Sequence, residues 1–279
     1  MDQTERFEVF RALHARAGAF VIPNVWDAGS ARLIASLGFE ALATTSAGYA
    51  FSKGKRDSFA GLSRAEVLAN AAEILGATGL PVSADLEDGF DVAPETCAET
   101  IRMAIGTGLA GGSIEDATGD AGAPIHDFSL AVERVAAAAE AAHDLPFLLT
   151  ARAENFLWGR PDLDDTIRRL QAFSAAGADV LFAPGLPDLD AIRAVCGAVD
   201  KPVNVVMGLS GPGHSVADLA AAGVRRISVG GSFARAAFGA LRRAAEEVRD
   251  NGTFAYAADA IPGQVLSGLM SPEKPPDRR

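Results

Sequence analysis

Two apolar runs of this chain end in acids. Leu80-Pro81-Val82 leads into Asp85 and Glu87, and Gly112-Ser113-Ile114 leads into Glu115. A carboxylate at the end of a buried strand is costly to desolvate unless it holds a partner. The two acidic ends suggest consecutive units of a repeating strand–helix fold, whose tips converge on one mouth in a barrel. Converging carboxylate oxygens suit a hard divalent cation, Mg²⁺ first and Mn²⁺ in its place. Arg152 closes a further apolar run, where its guanidinium can fork onto a carboxylate or phosphonate, or pair with Glu154. Asn204, in Pro202-Val203-Asn204-Val205, is expected to turn its amide to the same mouth.

The elements that must position these groups alternate regularly. Short β-branched or apolar runs predict strands over 20–23, 41–45, 81–85, 112–115, 147–151, 180–182, 203–206 and 226–229. Ala-rich segments of helical period predict helices over 28–37, 64–77, 94–107, 129–142, 163–176, 189–198 and 216–222, with another over 233–250. Gly38, Gly79, Gly108, Gly177 and Gly223 each end a helix ahead of the next strand, where a left-handed residue costs least as glycine. Such units close into a single (β/α)₈ TIM barrel over 1–270. An open doubly wound sheet is the alternative. It would need a glycine-rich dinucleotide loop after the first strand, and Pro23-Asn24-Val25-Trp26-Asp27 is not one. A helix near 4–16 is expected to plug the barrel floor. An amphipathic extension after Asp250 either continues the helical layer or meets a neighbouring subunit. A charged, Pro-rich tail over 271–279 is expected to be flexible.

Bulk properties narrow the function classes. A chain of 279 residues, 49% hydrophobic and 22% charged, fits one soluble barrel with a large core. A net charge of -11 argues against nucleic acid and against an anionic membrane surface. A small anionic substrate stays compatible where arginine or a metal reverses the local field. Cys97 and Cys196 show no metal or redox spacing and read as reduced thiols. The N-terminal segment lacks a signal-peptide layout, and no apolar run approaches the roughly 20 residues needed to span a bilayer, so a cytoplasmic location is expected. His14 and His143 read as helix-surface histidines, and His214 as a residue of the glycine-rich loop 210–214.

Four motifs in order carry a resemblance. Thr45-Ser46-Ala47-Gly48, Ala84-Asp85-Leu86-Glu87-Asp88-Gly89-Phe90, Ser113-Ile114-Glu115-Asp116 and Ala151-Arg152-Ala153-Glu154 resemble the isocitrate lyase/phosphoenolpyruvate mutase superfamily. The resemblance implies a Mg²⁺ site that stabilises an enolate while a C–C or C–P bond beside an α-keto or α-hydroxy acid is made or broken. It also implies a homo-oligomer, a dimer or a homotetramer, with the last barrel helix swapped between subunits. Residue by residue, it places Asp85, Glu87 and Glu115 at the metal and Asp57 among the catalytic groups. Glu87 stands where the family has a shorter acid. Ser46, Ala47, Gly48, Arg152 and Asn204 fall at positions that contact substrate, and Tyr49 beside them could donate a phenol proton.

The segment 117–127 falls where the family has its gating loop, and its glycines and proline suit a lid. It lacks the cysteine that serves isocitrate and methylisocitrate lyases as general acid, and the Lys/Asn pair of the mutases. His126 is its only neutral-pH proton carrier and is the expected acid–base group. The expectation is therefore a Mg²⁺-dependent carbon–carbon lyase for a small α-keto or α-hydroxy di- or tricarboxylic acid. It is oxaloacetate decarboxylase-like or 2-methylisocitrate lyase-like. Phosphonopyruvate chemistry, by mutase or hydrolase, and a catalytically inactive metabolite-binding barrel are the alternatives.

Overall fold

The computed structural model describes residues 1–59, 61–209 and 213–271. The loop reading at 210–212 and the tail reading at 272–279 fall outside them. The helix α1 (Gln3–Ala15) comes first. It is followed by β1 (Phe20–Ile22), β2 (Asn24–Val25), α2 (Ala28–Ala35), β3 (Leu42–Thr44), α3 (Ser46–Ser52), α4 (Arg64–Ala77), β4 (Val82–Asp85), α5 (Pro94–Thr107) and β5 (Gly111–Glu115). The chain continues through α6 (Phe128–Ala142), β6 (Leu148–Arg152), α7 (Leu163–Ala175), β7 (Val180–Phe182), α8 (Leu189–Ala198), β8 (Val203–Val206), α9 (Val216–Ala221) and β9 (Arg226–Ser228). It ends with α10 (Ser232–Asn251), a 3₁₀ turn (Ala255–Asp259) and α11 (Gly263–Met270).

All strand pairs are parallel, in the order β1-β9-β8-β7-β6-β5-β4-β3-β2. The first strand is divided at Pro23, which has no N–H to give the ladder. Its first half pairs with β9 and its second half with β3, so the two ends of the sheet meet through one short chain segment. This is the α/β TIM-barrel-like fold expected from the alternating pattern. The sequence reading found eight strands and left Asn24 and Val25 outside the first. It also expected no helix over 46–52, whereas the Thr45 hydroxyl accepts from Gly48 N–H and starts a short helix there.

Alternation along the strands sorts side chains between two cores. Leu42, Val82, Ile114, Leu149, Leu181, Val205 and Ile227 face the helices and join the main hydrophobic core. The opposite faces line the barrel interior in tiers. The floor is apolar: Phe20, Ala41 and Leu148 pack on Phe10 and Leu13 of α1. A Cβ on Gly111 would lie 3.0 Å from the Phe10 ring, so glycine lets the plug seat. Above this floor the lining becomes small and polar, with Ser83, Ser113, Thr150, Asn204 and Ser228, all buried. Bulky branched residues, which fill most such barrels, are few in this tier; Ile22, in register with Ser228, is one.

The plug contains a correction to the sequence reading. His14 is 7% exposed rather than on the helix surface. It lies edge-on to Phe10 and Phe20, with ring centroids 4.7 and 5.0 Å away. Its Nδ1 lies 2.8 Å from the Phe10 carbonyl oxygen. Burial first, and the positive charge of Arg226 second, push its pKa down to about 3. A depressed folded-state pKa makes the neutral imidazole a source of stability above its ordinary value of 6.5. That contribution is lost as pH falls from there toward 3. Between pH 7 and pH 4 the wild type should lose on the order of a few kcal/mol more stability than a His14→Phe variant. Urea unfolding at both pH values measures this, and equal losses would contradict it.

Candidate active site at the barrel mouth

Three adjacent strand ends build the centre of the mouth. Asp85 ends β4, Glu115 ends β5 and Arg152 ends β6, with Glu115 and Arg152 in register. The Arg152 guanidinium is shared among three carboxylates: Asp85 at 3.1 Å, Glu115 at 3.0 Å and Glu154 at 2.9 Å. The Phe182 ring lies against it, 5.0 Å from centroid to guanidinium. Burial alone would lower the Arg152 pKa. The charges of Glu115, Glu154 and Asp85 outweigh that and raise it. The Ser46 N–H and hydroxyl both donate to the other Asp85 oxygen, at 3.2 and 2.9 Å. Asp85 N–H in turn donates to the Thr44 hydroxyl at 2.9 Å.

Asp116 and two helix arginines support this centre from behind. The Asp116 carboxylate accepts from Glu154 N–H at 2.8 Å and from Arg169 at 2.9 Å. Arg169 also donates to the His126 carbonyl at 2.9 Å. Arg134, from α6, donates to the carbonyls of Asp88, Asp91 and Val92 and so fixes the loop after β4. That loop is strained: Glu87 has φ +50° and Phe90 φ +71°, conformations that side chains with a Cβ rarely adopt. Glu87 lines the mouth from this loop.

Two cavities share a wall here. The smaller, about 280 Å³, is lined by Asp57, Asp85, Glu87, Glu115 and Glu154 around Arg152, with Phe59, Leu157 and Trp158 at its rim. The larger, about 450 Å³, runs from Ser46, Ala47, Asp57, Asp85 and Arg152 down to Asn204, Ser228 and Arg226. Negative charge dominates the smaller one. Burial, then the charges of Asp85, Asp88 and Asp57, push the Glu87 carboxyl up to about 8. Burial raises Glu115 well above the usual range, against the pull of Arg152. Asp57 is exposed overall, yet desolvation of its carboxyl and the charge of Asp85 raise it too.

These residues fit a divalent cation by donor chemistry: hard oxygens crowded together with a single guanidinium to offset them. They do not form a finished ligand shell. Among the described residues, no group of three or more His, Cys, Asp and Glu side chains stands in metal-binding geometry. The physical reason is that Arg152 draws Asp85 and Glu115 onto its own nitrogens.

The sequence-derived site residues divide accordingly. Asp57, Asp85, Glu87, Glu115 and Arg152 come together around the smaller cavity, and Ser46, Ala47, Arg152 and Asn204 border the larger. Gly48 and Tyr49 border neither. The Gly48 N–H is taken by Thr45, and a Cβ there would lie 2.7 Å from Thr45 Cγ2, so its smallness serves packing. Tyr49 packs on the hydrophobic core under the Lys53 ammonium. His126 lines a different cavity, among Arg160, Asp162, Asp165 and Arg169. Segment 117–127 folds as a small hairpin, with an Ala117–Ile125 bridge and Arg169 holding its end, which turns the imidazole away from the carboxylates. Burial and the charges of Arg134 and Arg169 push the His126 pKa down to about 4. Tertiary structure adds Thr44, Asp116, Arg134, Arg169 and Arg226, which sequence reasoning missed. Arg134 and Arg169 lie on the apolar stripes of α6 and α7, beside Ala131 and Val135, and Leu170 and Phe173. A cation in such a stripe is a readable signal.

A barrel with this cluster at the C-terminal ends of its strands belongs with the TIM-barrel lyases and mutases of the isocitrate lyase/PEP mutase superfamily. The family model described as phosphoenolpyruvate phosphomutase matches residues 10–249, and the chain belongs to that family. A solved structure from Burkholderia cenocepacia J2315, provisionally described as a lyase/mutase, superposes with TM-score 0.94 at 58% identity, covering 97% of each chain. The uncharacterized protein Rv1998c of Mycobacterium tuberculosis is 32% identical over 86% of this chain and 89% of its own. An oxaloacetate decarboxylase of Chromohalobacter salexigens is 29% identical over 86% of this chain and 84% of its own. No described helix is long and apolar enough to cross a membrane.

Removing Arg152 leaves three carboxylates without their shared counter-charge. An Arg152→Met variant should lose about 3–5 kcal/mol at pH 8. The loss should be smaller at pH 5, where carboxyls of raised pKa take up protons. Denaturant unfolding of wild type and variant at both pH values checks this, and a pH-independent difference would contradict it.

Proposed function

We propose that this protein is a Mg²⁺-dependent carbon–carbon lyase for a small 2-oxo or 2-hydroxy di- or tricarboxylic acid. It rests on one observation: a carboxylate-lined cavity and a larger, arginine-bearing cavity meet at Asp85, Asp57 and Arg152. One side suits a cation and the other an anion. Asp85, Glu87 and Glu115, with Asp57 at the rim, would hold Mg²⁺ or Mn²⁺. The bound ion would supply a Lewis acid for the oxygen that gains charge as the bond breaks, worth several kcal/mol. Arg152 would transfer part of its pairing from Asp85 and Glu115 to a substrate carboxylate. Ser46 holds Asp85 in place, and Asn204, in the wall of the larger cavity, accepts from Arg226 and donates to Ser228. Phe59, Leu157 and Trp158 give the smaller cavity an apolar edge that would limit water at the reacting centre.

Neither cavity is lined by a histidine, cysteine or lysine among the described residues. That favours a reaction needing little proton delivery, and decarboxylation of an oxaloacetate-like β-keto acid meets the demand best. The curated relative from Chromohalobacter salexigens carries that activity in its name. The assay is pyruvate release from oxaloacetate with Mg²⁺, measured against Mg²⁺ alone. Wild type should exceed the background, Asp85→Ala should fall to it while keeping its fold, and His126→Gln should stay within about twofold of wild type, since its ring is outside the cavity. A wild type no faster than Mg²⁺ alone would end the decarboxylase reading. Turnover of phosphonopyruvate instead would install the phosphonate alternative, and no turnover of any such acid would favour the binding-only barrel.

We also infer a homo-oligomer. Only Ala234 of the 20-residue α10 is buried, and Phe238 and Leu241 of that helix, with Phe254 and Val265 beyond it, are exposed. Apolar exposure on that scale marks a protein interface. Its covering by a second copy, as in helix exchange, predicts a dimer or tetramer by light scattering. Leu241→Arg should shift the population toward monomer, and a monomeric wild type would contradict the inference.

A further inference from the structure

Three arginines line the larger cavity: Arg152 pairs with three carboxylates, exposed Arg235 donates to the Leu209 carbonyl, and the buried one without a carboxylate is Arg226. It begins β9, is 4% exposed, and lines the lower part of the 450 Å³ cavity beneath Arg152. No carboxylate lies within ion-pair distance of it among the described residues; its partners are neutral. Its Nε donates to Asn204 Oδ1 at 2.9 Å and one Nη to the Thr150 hydroxyl at 3.0 Å. The remaining nitrogen, Nη1, is buried and has no hydrogen-bond partner. A buried guanidinium without a counter-ion is a large standing cost, and a buried donor without an acceptor adds to it. Burial and the neighbouring Arg152 charge push its pKa down to about 9, still well above neutrality, so it remains a cation. The tier around it supplies space rather than charge: Ala43, Ser83, Ser113 and Ser228 leave the barrel interior open to it.

We propose that Arg226 is the specificity-determining anion receptor of this site, binding a second carboxylate of the substrate deep in the barrel while the first end lies at the acidic cavity. Asn204 and Thr150 act as positioning residues: they use two nitrogens of the fork and aim the third. Arg152 has its charge shared among three protein carboxylates, whereas Arg226 has none to satisfy it. An incoming carboxylate therefore gains a charge-assisted bond there without displacing a protein partner.

The assignment deepens the lyase reading and rests on it for the word substrate, but binding tests it without turnover. Calorimetry with oxalate, malonate, succinate and glutarate in the presence of Mg²⁺ would be run on wild type, Arg226→Met and Arg226→Lys, each checked for folding by thermal melting. Wild type should bind one longer diacid better than oxalate. Arg226→Met should lose about tenfold or more for that diacid, the scale of one charged hydrogen bond, and stay within about twofold for oxalate. Arg226→Lys should recover part of the loss. An equal loss for all four acids would reduce Arg226 to a structural strut, and no loss for any would remove it from the site. Should Arg226→Met fail to fold, a wild type that prefers no diacid over oxalate, or a folded Arg226→Gln variant with wild-type affinities throughout, overturns the proposal. Absence of lyase turnover alongside the expected binding pattern would defeat the reaction reading and leave the receptor standing.

Discussion

The structure turns on a buried cation that has more counter-charge than it needs. Arg152 is shared by Asp85, Glu115 and Glu154, and Glu87 and Asp57 crowd the same cavity. A buried ion pair survives only when its remaining hydrogen-bonding capacity is satisfied. Here that is done by Ser46 on Asp85, and by the chain from Glu154 N–H through Asp116 to Arg169. The excess of acids is the feature on which the proposed cation site rests. With only one guanidinium present, burial and mutual repulsion raise the Glu87 and Glu115 carboxyls, and a divalent ion would relieve them.

The same economy explains the barrel interior. A (β/α)₈ barrel is normally packed solid along its axis. This one is solid only at the floor, where α1 inserts Phe10, Leu13 and His14. Higher up, alternation turns serines, Thr150, Asn204 and Arg226 inward while the opposite face of each strand keeps its leucines, valines and isoleucines for the helices. Stability is therefore concentrated outside the ring, and the space inside is free for a ligand. The strained loop at Glu87 fits this division, because Arg134 and the β5 pairing over-determine it from both sides.

Much of the mouth was legible in the sequence because strand ends announce themselves. Apolar runs stopping at Asp85, Glu115 and Arg152, and an amide inside a strand at Asn204, each break a local pattern. Other groups were not legible. His126 has the right chemistry and loop for an acid–base group, but a hairpin bridge and Arg169 turn it into another cavity. His14 looked superficial because α1 gives no sign of which face meets the floor. Gly48 ends the substrate motif and Tyr49 follows it, yet α3 carries both into packing.

Local chemistry was enough to determine the repeating strand–helix order, the left-handed Gly38, Gly108, Gly177 and Gly223 that follow helices (Gly79 is not one, because α4 ends on an extended Thr78) and the types of residue gathered at the mouth, because these depend on short-range patterns of polarity and backbone freedom. Partnership was decided only by the closed barrel. Arg225 and Arg226 are adjacent and chemically identical in the sequence. The pleat sends Arg225 to the exterior, where it bonds to Gly18 O, and Arg226 into the cavity without a counter-ion. Which charge is solvated and which is left seeking an anion depends on strand parity, register and closure, and those exist only once distant segments have packed together.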